Sequence, residues 1–294
     1  MQLLKPEYLK SVEGLALLAR KMVDSYYAGL NQSRRNGTGQ EFSQYRSYQP
    51  GDDIRLLDWK LYARSDRFYI RESEIETNIE VAFILDASAS MQHEEAGLQK
   101  LDYARYLIAT LAWLAQRQGD WVSLYALNDQ QMIQVNPKPG RQFFQRFLYE
   151  LLNVKGSGVF PETSVLQLPF SHKRAKKLII FLTDMYEENG ELSGMIRQLN
   201  LPHHEVLLFQ IFGQKERYLE YEGVLTFEDL ETGQRKQVNS RKLKKSYQEN
   251  LDQQLERIKK QLLQQKVTHQ VFTMPEHPGE ALKAFLRRRQ KLIG

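Results

Sequence analysis

Ile79-Glu80-Val81-Ala82-Phe83-Ile84-Leu85, followed by Asp86-Ala87-Ser88-Ala89-Ser90, is the stretch whose reading decides the fold of this 294-residue chain. Residues 79–85 form an apolar run of the kind that makes a strand buried on both faces of a sheet. Downstream, Leu101, Ala104, Leu107, Ile108, Leu111, Leu114 and Ala115 share one helical face that stops near Gly119. Residues 121–127 read as a second strand, and Asn128-Asp129 turns it into a hairpin partner at 131–135. Phe143, Phe144, Phe147, Leu148, Leu151 and Leu152 mark another helix. Buried strands at 177–183 and 206–212 flank a short helix at 192–199, and a strand at 267–273 precedes a closing helix at 280–292. Strands alternating with helices predict βαβ units, right-handed crossovers and a parallel sheet.

Two segments stand outside this alternation. Near the N-terminus the spacing predicts a helix over 6–27, a loop over 28–40, and short strands and turns over 41–76 that end in a strand at 68–75. Between the last two sheet strands, polar strand-like sequence at 214–239 leads into an amphipathic helix at 240–265, where Leu243, Tyr247, Leu251, Leu255, Ile258 and Leu262 recur every three or four residues. The expected division is an N-terminal helix with a β-rich appendage over 1–77, and an α/β domain over 78–294 carrying a hairpin-plus-helix insertion at about 214–265.

Composition narrows the chemistry. The chain is 41% hydrophobic and 11% aromatic, enough to bury a core. It contains no cysteine, which excludes disulfides, thiolate metal sites and cysteine nucleophiles and favours a reducing, cytoplasmic setting. No apolar run approaches the roughly 20 residues of a spanning helix, so no membrane span is expected. Lys plus Arg exceed Asp plus Glu, 41 to 36, a mild net charge of +5. The basic clusters at 173–177, 241–245 and 287–289 lack the interleaved aromatics of a nucleic-acid face, so no nucleic-acid partner is expected. No phosphate-binding GxxxxGK[ST] occurs, and the six histidines lack HExxH spacing.

The strand ends carry the candidate chemistry. Asp86, Ser88 and Ser90 follow one buried strand, and Thr183-Asp184 ends another. In open α/β sheets, ligands bind beyond the carboxyl ends of the strands. Two carboxylates with neighbouring hydroxyls make an oxygen-rich nest suited to Mg²⁺ or Mn²⁺. By itself Asp-x-Ser-x-Ser also suits a helix N-cap, with serine side chains satisfying free backbone N–H groups.

Asp86, Ser88 and Ser90, with Thr163 and Asp184 further along, resemble the metal-ion-dependent adhesion site of von Willebrand factor A-like domains. The resemblance implies a Rossmann-like von Willebrand A-type α/β fold, with a mostly parallel sheet flanked by helices. It also implies a metal held by Asp86, Ser88, Ser90, Thr163 and Asp184, in which hydroxyls and few carboxylates leave one position for a partner's carboxylate. Ser157 and Ser164 are alternatives to Thr163 on the same loop.

Gly37-Thr38-Gly39-Gln40-Glu41-Phe42, Tyr45-Arg46, Tyr48, Pro50-Gly51-Asp52-Asp53, Arg55, Asp58-Trp59-Lys60 and Ala63-Arg64, together with Phe227-Glu228-Asp229-Leu230-Glu231-Thr232-Gly233, resemble the bacterial family called domain of unknown function fifty-eight. Its members are associated with MoxR-type AAA+ ATPases. The resemblance implies a non-enzymatic, Mg²⁺-dependent binding module that partners such an ATPase and an unidentified protein client offering a carboxylate. The alternating charges of 41–76 also suit a solvated salt-bridge surface. The rival class is a Mg²⁺-dependent phosphoryl-transfer hydrolase with Asp86 as nucleophile. Against it, aspartyl phosphatases resembling the haloacid dehalogenase family want a second Asp where this chain has Ser88.

Overall fold

The structure is a computed structural model and describes residues 6–35, 45–49, 54, 57–71, 78–138, 141–162, 176–185, 190–221 and 223–293. The chain divides into two compact units, Tyr26–Thr77 and the remainder, Met1–Ser25 with Asn78–Gly294. The expected limit of 1–77 is therefore redrawn. After the short α1 (Pro6–Leu9), helix α2 (Val12–Arg35) begins in the larger unit, where Leu15, Ala19 and Val23 are fully buried. Burial of that apolar stripe ties the segment to the larger unit more strongly than its place in the sequence does. The loop expected from residue 28 also begins later, because α2 continues to Arg35 through Gly29 and Asn31.

In the smaller unit β1 (Tyr45–Ser47) pairs antiparallel with β2 (Tyr69–Arg71). Between them the expected strands and turns give way to helix α3 (Trp59–Ser65). Asp58 caps it, its Oδ1 accepting from the Lys60 and Leu61 amides at 3.0 Å each, and this cap defines a helix start that strand-like aromatics obscured. Tyr62 stacks on Phe68 at 4.4 Å between centroids.

The larger unit is built on strands β3 (Glu80–Asp86), β6 (Trp121–Leu127), β7 (Met132–Val135), β8 (Lys177–Thr183), β9 (His204–Phe212) and β12 (Thr268–Thr273). Their order across the sheet is β12-β9-β8-β3-β6-β7, all parallel except the edge hairpin strand β7. Two-residue strands β4 (Glu94–Glu95) and β5 (Leu98–Gln99) form a small ribbon after β3. Helices α4 (Lys100–Arg117), α5 (Arg141–Asn153), α6 (Glu191–Leu199), α8 (Ser240–Gln264) and α9 (Gly279–Ile293) flank the sheet, and α7 (Gln214–Tyr218) follows β9. Strands β10 (Val224–Glu228) and β11 (Arg235–Asn239) form a separate antiparallel hairpin. This is the mostly parallel α/β sheet flanked by helices that the alternation predicts. Among the described residues no helix is long and apolar enough to cross a membrane.

Strand β8 is buried along its whole length, and β3 is buried from Val81 to Asp86. Ala82, Ile84, Ile179 and Phe181 face a cluster with Leu192, Met195, Ile196 and Leu199 of α6 and Leu262 of α8. On α4, every residue from Lys100 to Ala104 is buried. Phe181→Ala removes a ring from this closed cluster and is expected to lower unfolding stability by about 3–5 kcal/mol in urea titration, with the denaturant slope unchanged.

His269 on β12 faces Gln210, Nε2 to Oε1 at 3.0 Å. Burial, and then the Lys259 charge, push its pKa down from 6.5 to about 4. The folded state therefore keeps this imidazole neutral where the unfolded chain takes up a proton. That stability is present above about pH 6.5 and is lost as pH falls toward 4. Thermal melts of wild type and His269→Gln across this range are expected to differ in slope, the variant falling less steeply.

Candidate functional site

Strands β3 and β8 are neighbours in register, Leu85 opposite Leu182, so Asp86 and Thr183 end the two strands side by side although 97 residues separate them. Asp86 has no exposed surface. Its Oδ2 accepts from Thr183 Oγ1 at 2.7 Å and its Oδ1 from the Ser88 amide at 2.9 Å. Burial, and then the Asp184 charge, push the Asp86 carboxyl up to about 6, against the hydrogen bonds from Thr183 and Ser88.

The two serines complete a chain of oxygens. Ser88 Oγ and Ser90 Oγ are 3.0 Å apart, and Ser90 Oγ donates to Asp184 Oδ1 at 3.1 Å. The turn Ala89–Gln92 starts after Ser88, but the Ser88 side chain makes no capping hydrogen bond to it. The N-cap expectation for Asp-x-Ser-x-Ser is thus not realised by Ser88. Asp86 alone bonds a local amide.

Four of the five expected site residues, Asp86, Ser88, Ser90 and Asp184, come together in this chain of contacts. Thr163 and its alternative Ser164 lie outside the described residues. Their loop is described as far as Glu162, and its first part docks on the serine turn: the Ala89 amide donates to Gly158 O and the Ser157 amide to Ala87 O, both at 2.9 Å. The other alternative, Ser157, has its hydroxyl engaged by Asn128 Nδ2 at 3.0 Å. Gly158 is required there, since its φ of +62° is left-handed and a Cβ would lie 1.8 Å from Asp129 Oδ1. His93 sits at the rim, partly exposed, 3.4 Å from Glu95.

Three groups absent from the sequence reading of the site also converge here. Lys100, the first residue of α4, is buried and places Nζ 3.0 Å from Asp184 Oδ2 and 3.0 Å from Glu216. Burial alone lowers its pKa, but Asp184 and then Glu216 outweigh that and hold the ammonium above its usual value. Glu216 is in turn held by the Gly213 amide, and Glu95 accepts from the Lys215 and Glu216 amides. The signal for Lys100 was a cation in the first turn of an otherwise buried helix, where the dipole disfavours it unless acids are near.

The third group is Glu231, in the turn of the β10–β11 hairpin. Its carboxylate lies beside the Ser90 and Ser88 hydroxyls and within electrostatic reach of Asp86 and Asp184. Burial pushes it up to about 7; the Ser90 and Ser88 hydroxyls oppose this, and the charges of Asp86 and Asp184 add to it. Glu231 Oε1 is buried without a hydrogen-bond partner. Beside the site, a cavity of about 930 Å³ lies between hairpin and α8, lined in part by Ser90, Lys100, Asp184, Glu216, Tyr247 and Leu255.

Among the described residues no three His, Cys, Asp or Glu side chains form a metal-binding cluster of their own. The donor set is a mixed one, two carboxylates and two hydroxyls in contact. Carboxylate and hydroxyl oxygens of this kind are the donors that suit a hard divalent cation.

Removing the ammonium leaves buried Asp184 and half-buried Glu216 without it. Lys100→Met is expected to cost about 3–5 kcal/mol of stability in denaturant titration, because Asp184 and Glu216 lose their compensating charge.

The family described as "Protein of unknown function DUF58" matches residues 44–257. Uncharacterized proteins of Mycobacterium bovis and Mycobacterium tuberculosis are each 25% identical over 236 residues, spanning 78% of this chain and 72% of theirs. Among solved structures, the conserved hypothetical protein BatB from Bacteroides thetaiotaomicron is 11% identical, covering 73% of this chain and 100% of its own, with a TM-score of 0.44. The SpRpn10 VWA domain is 8% identical, covering 71% and 95%, with a TM-score of 0.41.

Proposed function

This chain belongs to the DUF58 family, and from that membership and the geometry at the ends of β3 and β8 we propose that it is a non-enzymatic, Mg²⁺-dependent protein-binding module. The observation that carries the reading is the unbroken contact from Ser88 through Ser90 to Asp184, set beside buried Asp86. Asp86, Ser88, Ser90 and Asp184 would hold Mg²⁺ or Mn²⁺, with Thr163 as the remaining ligand offered by its loop. A divalent ion there supplies a hard acceptor for a carboxylate on a protein client. The chain's own residues orient that ion: Thr183 and the Ser88 amide fix Asp86, and Lys100 fixes Asp184. A MoxR-type AAA+ ATPase is the proposed second partner, on the family resemblance, and any nucleotide hydrolysis belongs to it.

The alternative, phosphoryl transfer with Asp86 as nucleophile, is less well supported by the same geometry. A nucleophilic carboxylate needs an open approach, whereas Asp86 has no exposed surface and both its oxygens accept hydrogen bonds.

A tagged pull-down from native lysate tests the reading, run in Mg²⁺, in EDTA, and with Asp184→Ala. Retention of an AAA+ ATPase or a client only with metal and intact Asp184 is the expected result. Retention of the same proteins in all three samples removes the metal from the binding step, and Mg²⁺-dependent turnover of a phosphate ester that Asp86→Asn abolishes restores the hydrolase.

A further inference from the structure

The insertion between β9 and β12 leaves one apolar stripe of α8 incompletely covered. Leu243, Tyr247, Leu251, Leu255 and Ile258 recur every three or four residues, so they share one helix face. All five line the cavity of about 930 Å³ between α8 and the β10–β11 hairpin. Of the five only Leu255 is buried, and Leu243 is 45% exposed. Leu230, in the turn of the hairpin, lines the same cavity and is 48% exposed. Phe227 on β10 and Tyr221 complete the hairpin wall, their ring centroids 5.4 Å apart. Contiguous apolar side chains open to water in this way mark a surface that a partner covers.

The dimensions and the polar lining suit a polypeptide. From Leu243 to Ile258 the stripe runs about 22 Å at 1.5 Å per residue. That is the length of about six or seven residues of extended chain. A second stripe on α8, Ser246, Asn250 and Gln254, lines the same cavity at intervals of four. Side-chain amides both donate and accept, so exposed Asn250 and Gln254 match the N–H and C=O groups of a main chain. Charge differs between the two ends. On the hairpin wall the signs cancel, Arg235 and Lys236 against Glu228 and Asp229, with Arg235 3.0 Å from Glu228. At the end that meets the strands, Lys100 is 3.0 Å from both Asp184 and Glu216, so two acids share one cation. The Asp184 side chain is 4% exposed and that of Glu216 32%, which makes Glu216 the acid an incoming group meets. Tyr247, donating its hydroxyl to Glu216 O at 2.9 Å, puts an aromatic ring beside it.

We propose that the groove between α8 and the β10–β11 hairpin docks an extended segment of a protein partner, in which a lysine or arginine meets Glu216 and flanking apolar side chains cover Leu243 and Leu251. The proposal goes beyond the metal reading and does not rest on it, since no divalent ion takes part. A cation at Glu216 balances the acid that Lys100 shares with Asp184, and a basic side chain pairs with a carboxylate by charge-assisted hydrogen bonds. An acidic segment meets like charge at the same place and is disfavoured. Apolar side chains of the segment take exposed Leu230 and Leu243 out of water, which supplies affinity, while the charge fixes direction. The groove reaches Ser90 and Asp184, so a segment seated in it lies beside the strand ends.

A random heptapeptide library displayed on phage is panned on the full chain in EDTA, and the enriched peptides are resynthesised with a fluorescein label for anisotropy titration. Sequences that combine Lys or Arg with apolar residues are the expected product. Leu243→Glu puts a charge on the exposed mouth of the groove and is expected to weaken their binding about tenfold or more at an unchanged melting temperature. Leu230→Glu does the same from the hairpin side and stands in should Leu243→Glu melt early. Exchanging the peptide's basic residue for Gln is expected to weaken binding to wild type about tenfold and to change binding to Glu216→Gln little, because that pair is already broken. No enrichment over a panning on an unrelated protein, enrichment of acidic sequences, or undiminished binding to both Leu variants overturns the proposal. A peptide exchange that costs the same in wild type and in Glu216→Gln removes Glu216 from the contact and overturns it as well. Sedimentation velocity checks the other occupant: wild-type dimers that Leu243→Glu dissociates make the groove an interface between two copies of this chain, against the proposal.

Discussion

The pairing of β3 with β8 is the constraint on which the site depends. Asp86 ends a strand that has no solvent on either face, where a carboxylate is tolerated only if its oxygens are satisfied. The parallel register supplies Thr183 for one oxygen, and the chain's own turn supplies the Ser88 amide for the other. Shifting that register by one residue would point Thr183 to the opposite face and strand the acid. The same pairing sets Asp184 one residue beyond, where Ser90 and Lys100 reach it.

Charge at the site is layered around that pair. Lys100 neutralises Asp184 and Glu216, and Glu216 is anchored by the Gly213 amide, so the sheet, α4 and α7 share one buried ion network. Such a network contributes little net stability against an apolar replacement, but breaking it on one side is expensive. Among the described residues, Lys100 is engaged by Asp184 and Glu216 rather than by Asp86 or Glu231. Burial is what chiefly pushes the Asp86 and Glu231 carboxyls up, to about 6 and about 7, and neighbouring acidic charge adds to it. A divalent ion would correct it, and hydroxyls on Ser88 and Ser90 are suited to share that ion without adding further charge.

The insertion gives the site its second layer. In a bare α/β sheet the strand ends face open solvent or a ligand. Here a hairpin whose turn is determined by Asp229 and Gly233 borders, with α8, a cavity that Ser90 and Asp184 also line, and α8 runs back to the sheet through Ile258 and Leu262.

Local sequence determined the sheet and half of the site. Runs such as those in β3 and β8 are apolar on both faces because both faces are covered, and their shortness separates them from buried helices. Asp86, Ser88, Ser90 and Asp184 were legible because topology places strand ends together and the residues there carry oxygen. The smaller unit was less legible: the aromatics of α3 mimic strand composition, and only the Asp58 cap distinguishes the helix. The helix end at Arg35 was missed because Gly29 and Asn31 lower helix propensity without forbidding the helix. Tertiary structure alone decided the roles of Lys100, Glu216 and Glu231. Lys100 lies 84 residues from Asp184 and 116 from Glu216, and spacing carries no record of contacts made through folding. The motif holding Glu231 could be recognised in sequence as a turn.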